Sequence, residues 1–191
     1  MNRLLVGVSG SAAVLSLPSY LATLRAALAK EVRVIMTAAA ASILPPSTVA
    51  LISDGVFLDE KPTVHKEPGH VELANWCDMF VALPASANLL GLVANGIAPN
   101  LLSTTILASP MPVVFCPNLN PTMWRKAAVQ RNVKTLRADG HVVVDPELTM
   151  AYEVDSGEMQ ENWVIPDPER LIERLQQIRQ RPEFSPPYSS P

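Results

Sequence analysis

Hydrophobic and polar positions alternate along this chain in two rhythms. Short runs rich in β-branched residues, Leu4–Val8, Val32–Met36, Met79–Leu83, Val113–Phe115 and Val142–Val144, have the length and character of buried strands. Between them apolar residues recur about every three to four positions. That spacing predicts helices over Tyr20–Leu28, with Pro18 and Ser19 at the opening turn, and around Val71–Trp76, Ala87–Ala94, Leu101–Leu107, Thr122–Gln130 and Pro168–Arg179. Strands alternating with helices bury both faces of a parallel sheet, so the expected fold is α/β: one domain, three layers, Rossmann-like.

Two segments break the rhythm. Pro146–Trp163 is polar and acidic, carries Gly157 and shows no sustained period, which predicts a long loop or flap. Arg181–Pro191 is rich in proline and serine and is expected to be disordered, so the domain is drawn over residues 1–180. No internal repeat is present, and 191 residues suffice for one domain with a substantial core.

Composition removes several classes of function. Only 17% of residues are charged and the net charge is -3, so no basic stripe is available for a nucleic-acid backbone. Met1–Val8 looks like the start of a short signal sequence, but the apolar run breaks at Ser9-Gly10-Ser11 and never reaches the ~18 residues of a membrane span. A soluble, cytoplasmic protein without membrane contact is expected. Cys77 and Cys116 have neither the density of a disulfide scaffold nor the clustering of a metal site.

The candidate chemistry lies at strand exits, where ligands of open α/β sheets collect. Gly7-Val8-Ser9-Gly10-Ser11 follows the first strand; its glycines permit backbone N–H groups to approach an anion and its serines add donors, although the same residues also make a plain tight turn. No Gly-Lys-Ser/Thr follows and the third glycine of a dinucleotide fingerprint is missing, so a mononucleotide such as FMN fits better. Thr37, directly after the second strand, is assigned to the same site. Pro84-Ala85-Ser86-Ala87-Asn88 offers small residues for a flat ring and hydrogen-bonding groups for its heteroatoms, or simply caps the next helix through Ser86. Pro117-Asn118-Leu119-Asn120-Pro121-Thr122-Met123-Trp124 offers an amide donor for a carboxylate and two large apolar residues for a pocket. From spacing alone it reads more readily as an Asn-Pro turn opening a helix, with Met123 and Trp124 in the core.

Together with His70, Trp76, Asp78 and Asn100-Leu101-Leu102, these boxes resemble in order and spacing the homo-oligomeric flavin-containing cysteine decarboxylases, over residues 3–145. The chain departs from the family pattern at Leu89 (usually threonine), Pro99 (usually aspartate) and Asn118-Leu119 (usually Ala-Met). The resemblance implies a flavodoxin-like fold binding FMN through Gly7, Ser9, Gly10, Ser11, Thr37 and Pro84, Ala85, Ser86, Ala87, Asn88. It also implies trimers as the basic assembly, a dodecamer of four trimers, and His70 as the active-site base reaching substrate across a subunit boundary. His65, in the charged stretch 61–67, fits a solvent position better. Asn120 is assigned to the substrate carboxylate, with Pro117, Asn118, Leu119, Met123 and Trp124 around the substrate; Cys116 is assigned to the core.

The chemistry explains these residue types. A C-terminal cysteine has no electron sink for the carbanion left by CO2, so it must first be oxidised. Hydride loss from Cβ with thiol deprotonation gives a thioaldehyde, whose C=S accepts the electrons of decarboxylation as an enethiolate. Imidazole is the natural proton carrier near neutral pH. In the branch of the family that makes coenzyme A, a flap cysteine helps reduce the enethiol. Here Ala151–Met159 holds none, which favours the branch acting on a cysteine-terminated precursor peptide and releasing an aminoenethiol for aminovinyl-cysteine-type rings, alongside other peptide-modifying enzymes. The alternatives are phosphopantothenoylcysteine decarboxylase and a non-catalytic flavin-binding regulatory subunit; a flavin prenyltransferase ranks last.

Overall fold

In a computed structural model describing residues 1–59, 68–153 and 156–184, all five expected strands form and a sixth joins them. The strands β1 (Arg3–Val8), β2 (Glu31–Met36), β3 (Gly55–Phe57), β4 (Met79–Ala85), β5 (Val113–Pro117) and β6 (Val142–Val143) make one sheet in the order β3-β2-β1-β4-β5-β6, every pair parallel. The order reverses between β1 and β4, which opens a crevice at their carboxyl ends.

Period-two alternation sorts the strand side chains into two cores. Leu4, Val6 and Val8, with Val34, Met36 and Val81, pack under α1 (Leu17–Ala27) and α9 (Pro168–Arg179). Leu5, Ile35, Phe80, Ala82 and Phe115 pack under α4 (His70–Trp76), α5 (Ala87–Ala94), α6 (Leu101–Leu107) and α8 (Ala127–Ala138). The result is the expected three-layer arrangement. Gly7, on the second face of β1, is required by packing: a Cβ there would collide with Leu102. The short helices α2 (Ala38–Ile43) and α3 (Pro46–Ala50) lead from β2 to β3.

Three expectations change. The segment read as a flap without regular structure is an antiparallel hairpin of β7 (Glu147–Glu153) and β8 (Glu158–Val164). It stands off the main sheet, so Leu148, Met150, Tyr152 and Met159 alternate along it yet remain exposed. Its base is tied to α9, where Glu147 accepts from Arg170 at 3.0 Å and Arg174 at 2.5 Å. The helix expected over Thr122–Gln130 is two helices, α7 (Pro121–Trp124) and α8, because Lys126 is extended and the Gln130 side chain donates to the Trp124 carbonyl at 2.6 Å. Of the tail, Pro182–Phe184 forms a turn that buries Phe184; residues 185–191, like His65, lie outside the described residues. Among the described residues no helix is long and apolar enough to cross a membrane.

His141 locks the far edge of the sheet. Its Nδ1 accepts the N–H of Val113 at 3.1 Å and its ring meets Phe115 edge-on at 5.5 Å. Burial pushes its pKa below the ordinary 6.5, against a weaker opposing pull from Asp139. The unfolded chain therefore takes up this proton first, and stability present above about pH 6.5 is lost as the pH falls toward the lower folded value. Melting temperatures between about pH 7 and pH 5 should show this loss. His141→Asn, which keeps an acceptor near Nδ1 but cannot titrate, should flatten it; an unchanged slope would remove His141 from the pH response.

Candidate active site

Four strand exits are stitched side by side. Ser9, 3% exposed, donates its N–H to the Pro84 carbonyl at 3.2 Å and its hydroxyl to the same oxygen at 2.9 Å, while Oγ accepts the N–H of Ser86 at 2.8 Å. Thr37 N–H donates to the Val8 carbonyl at 3.0 Å, and Asn118 N–H to the Ala85 carbonyl at 3.2 Å. The exits of β2, β1, β4 and β5 thus form one continuous rim.

Along this rim the expected cofactor residues divide into supports and donors. Gly7 and Ser9 are supports, the first making room for Leu102 and the second with its hydroxyl spent within the protein. Gly10 lets the loop after β1 lie against α2, where a Cβ would come within 2.6 Å of the Ala39 Cβ. Among the described residues, no group accepts the N–H of Gly10 or Ser11. Thr37 caps α2 by accepting from Ala40 N–H at 3.3 Å, and Ser86 caps α5 by accepting from Leu89 N–H at 3.3 Å. Pro84 and Ala85 are buried, Ala87 is half-buried and Asn88 exposed. Open backbone donors beside small residues fit a phosphate with a flat ring next to it, as FMN requires.

Beside the exits of β1 and β5 lies a cavity of about 970 Å³. Ala12 and Tyr20 form one wall, Asn118, Leu119 and Asn120 another, and the hairpin, including Trp163, a third. A backbone bridge between Leu119 and Trp163 docks the hairpin on the loop after β5. Asn120 caps α7, its Oδ1 accepting the Met123 N–H at 2.8 Å. Pro117 is buried at the end of β5. Met123 and Trp124, expected to shape the substrate pocket, do not line this cavity: the turn of α7 leaves Met123 42% exposed and sends Trp124 into the core. His70 opens α4 on the opposite helical layer, exposed and away from the cavity lining.

Other residues of the boxes serve the frame. Asp78 accepts the N–H groups of Asn2 and Arg3 at 2.9 Å each; burial alone would raise its pKa, but these bonds and Arg3 hold it below the usual carboxylate value. Trp76 stacks under Arg33, and Asn100 caps α6. Burial pushes the thiols of Cys77 and Cys116 up to about 12, so neither is a nucleophile near neutral pH. Sequence reading missed Tyr20; it expects a flap over Pro146–Trp163 but not its strands, for which the Leu148/Met150/Tyr152 alternation was the available signal.

The sequence pattern of the Flavoprotein family matches residues 1–167. The chain belongs to this family. It is 39% identical to mersacidin decarboxylase of Bacillus sp. (strain HIL-Y85/54728) over 171 residues, 90% of this chain and 87% of that protein. The solved structure of MrsD from Bacillus sp. HIL-Y85/54728 is similar with a TM-score of 0.81 and 34% identity, covering 96% of both chains. SpaF, described as an FMN-dependent cysteine decarboxylase, gives 0.75 and 36%, covering 93% of this chain and 97% of that one. EpiD, described as a peptidyl-cysteine decarboxylase, gives 0.81 and 25%, covering 92% and 99%.

Ser9→Ala should leave the partly buried Ser86 N–H without its acceptor and cost about 1–3 kcal/mol in chemical denaturation. A variant as stable as the parent would show that the two exits hold together without this hydroxyl.

Proposed function

We propose that this protein decarboxylates the C-terminal cysteine of a peptide oxidatively, with FMN, and releases an aminoenethiol suited to aminovinyl-cysteine-type ring formation. The observation that carries the reading is the cavity in which Asn118, Leu119 and Asn120 meet a β-hairpin, in a Flavoprotein-family chain similar to cysteine decarboxylases. FMN at the exits of β1, β2 and β4 supplies a two-electron acceptor. The chain's residues do the rest. Asn120, its oxygen tied to Met123 N–H, presents its NH2 to the substrate carboxylate. The hairpin covers the peptide and keeps water from the reactive C=S. His70 takes the thiol proton; because it lies away from its own chain's cavity, a second copy brings it, which makes the working form a homo-oligomer. No cysteine occurs between Pro146 and Trp163 to complete a reduction, so the product leaves unsaturated.

Mass spectrometry of cysteine-terminated peptides incubated with the FMN-loaded protein should show loss of CO2 together with two hydrogens. Loss of CO2 alone, with the flavin left oxidised, would instead assign the chain to the coenzyme A branch. His70→Asn should keep the yellow colour and abolish turnover, whereas Asn120→Ala should chiefly weaken substrate binding or stop the reaction before CO2 loss. A yellow His70→Asn protein working at the parental rate would remove the histidine from the mechanism.

A further inference from the structure

Asn118 stands where the resembling family usually has alanine, and its geometry gives the substitution a purpose. Its Oδ1 accepts the Ser11 hydroxyl at 2.5 Å, and Ser11 Oγ in turn accepts the Ala13 N–H at 3.4 Å. With the Ser11 hydroxyl donating to Oδ1, the NH2 of Asn118 is the end left to face a ligand. Asn120 is fixed the same way, because a backbone N–H can only donate to its Oδ1. Both residues line the same cavity. The charged groups at its other wall are committed to each other: Arg170 pairs with Glu147 at 3.0 Å and Asp167 at 3.3 Å.

We infer that Asn118 and Asn120 form a two-amide receptor for the C-terminal carboxylate of the peptide, with Ser11 as the positioning residue that sets the Asn118 amide. The inference rests on the peptide reading above. Two NH2 groups complement the two acceptor oxygens of a carboxylate, and hydrogen bonds to a charged acceptor are the stronger kind. A carboxamide terminus would set its own NH2 against one of them. The site therefore selects a free C-terminus without a paired cation. Ser11 also belongs to the loop whose open N–H groups suit the phosphate, so carboxylate and cofactor are held from one short segment.

The test uses FMN-loaded protein and a peptide that the wild type turns over, with its terminal cysteine replaced by serine so that no reaction follows. Binding is measured for the free-carboxylate and carboxamide forms. The wild type should prefer the carboxylate by about tenfold or more. Asn118→Ala should lose about tenfold on the carboxylate form and little on the carboxamide. Asn118→Asp keeps the acceptor for Ser11 but turns a donor into a negative oxygen, so it should reverse the preference. Ser11→Ala, which frees the amide to rotate, should weaken it. Equal losses on both peptides, a wild type without preference, or loss of preference only in Arg170→Gln would overturn the receptor. Absence of turnover in the wild type would instead sink the peptide reading, so the two failures are distinct.

Discussion

The arrangement at the sheet's carboxyl edge depends on one buried hydroxyl. Where β1 and β4 end, the chain leaves to opposite faces, to α1 on one side and α5 on the other, and the backbone contributes one bond between the diverging exits, from Ser9 N–H to the Pro84 carbonyl. Pro84 sharpens the problem, since it brings no N–H to a central strand, and the β4–β5 register shifts between Ala82 and Ala85. Ser9 bridges the gap by donating to the Pro84 carbonyl and accepting from Ser86 in the same short reach. With those exits fixed, Ala85 can receive Asn118 and Ser11 can meet the Asn118 side chain. Without the hydroxyl, the single backbone bond from Ser9 to Pro84 is left to hold the two loops in register, and the Ser86 N–H loses its acceptor.

The same point shows why a residue can belong to a family motif without touching a ligand. Ser9 sits in what reads as a phosphate cradle, yet both its hydrogen-bonding capacities are consumed inside the protein. Gly7 is small because Leu102 occupies the space of its side chain, and Gly10 because Ala39 does. These are long-range steric demands, invisible to any local window of sequence. The donors left open are the N–H groups of Gly10 and Ser11, unpaired among the described residues, which any residue able to adopt that backbone would supply.

Legibility followed burial. Fully buried strands such as Met79–Leu83 and Val113–Phe115 must be apolar on both faces, so their composition alone exposed them. β3 was missed because three half-buried residues, Gly55–Phe57, make too short a run. The hairpin was missed because, apart from Trp163 at its base, its apolar residues stand clear of the core, and its alternation of Leu148, Met150 and Tyr152 was outweighed by its acidic residues. Within the site, Asn118–Asn120 could be named from the box they occupy. Tyr20, which joins the cavity from α1 and is anchored by donating its hydroxyl to the Pro166 carbonyl at 2.9 Å, had no local signal at all.

A neutral carboxylate receptor also suits the direction of the reaction. Decarboxylation converts a charged group into neutral CO2, so a receptor that binds the anion strongly in the ground state loses that interaction on the way to the transition state and slows the step. An arginine forked onto the carboxylate would do this, and the cavity's own arginine is held off by Glu147 and Asp167. Two amides provide direction with less charge stabilisation. In the proposed receptor they would fix the plane of the carboxylate relative to the bond that must break, while leaving little electrostatic energy to be forfeited as the charge moves toward sulfur. The same argument gives the ion pairs at the hairpin base a double consequence: they tether β7 to α9, and they keep a full positive charge from competing for the group that has to leave.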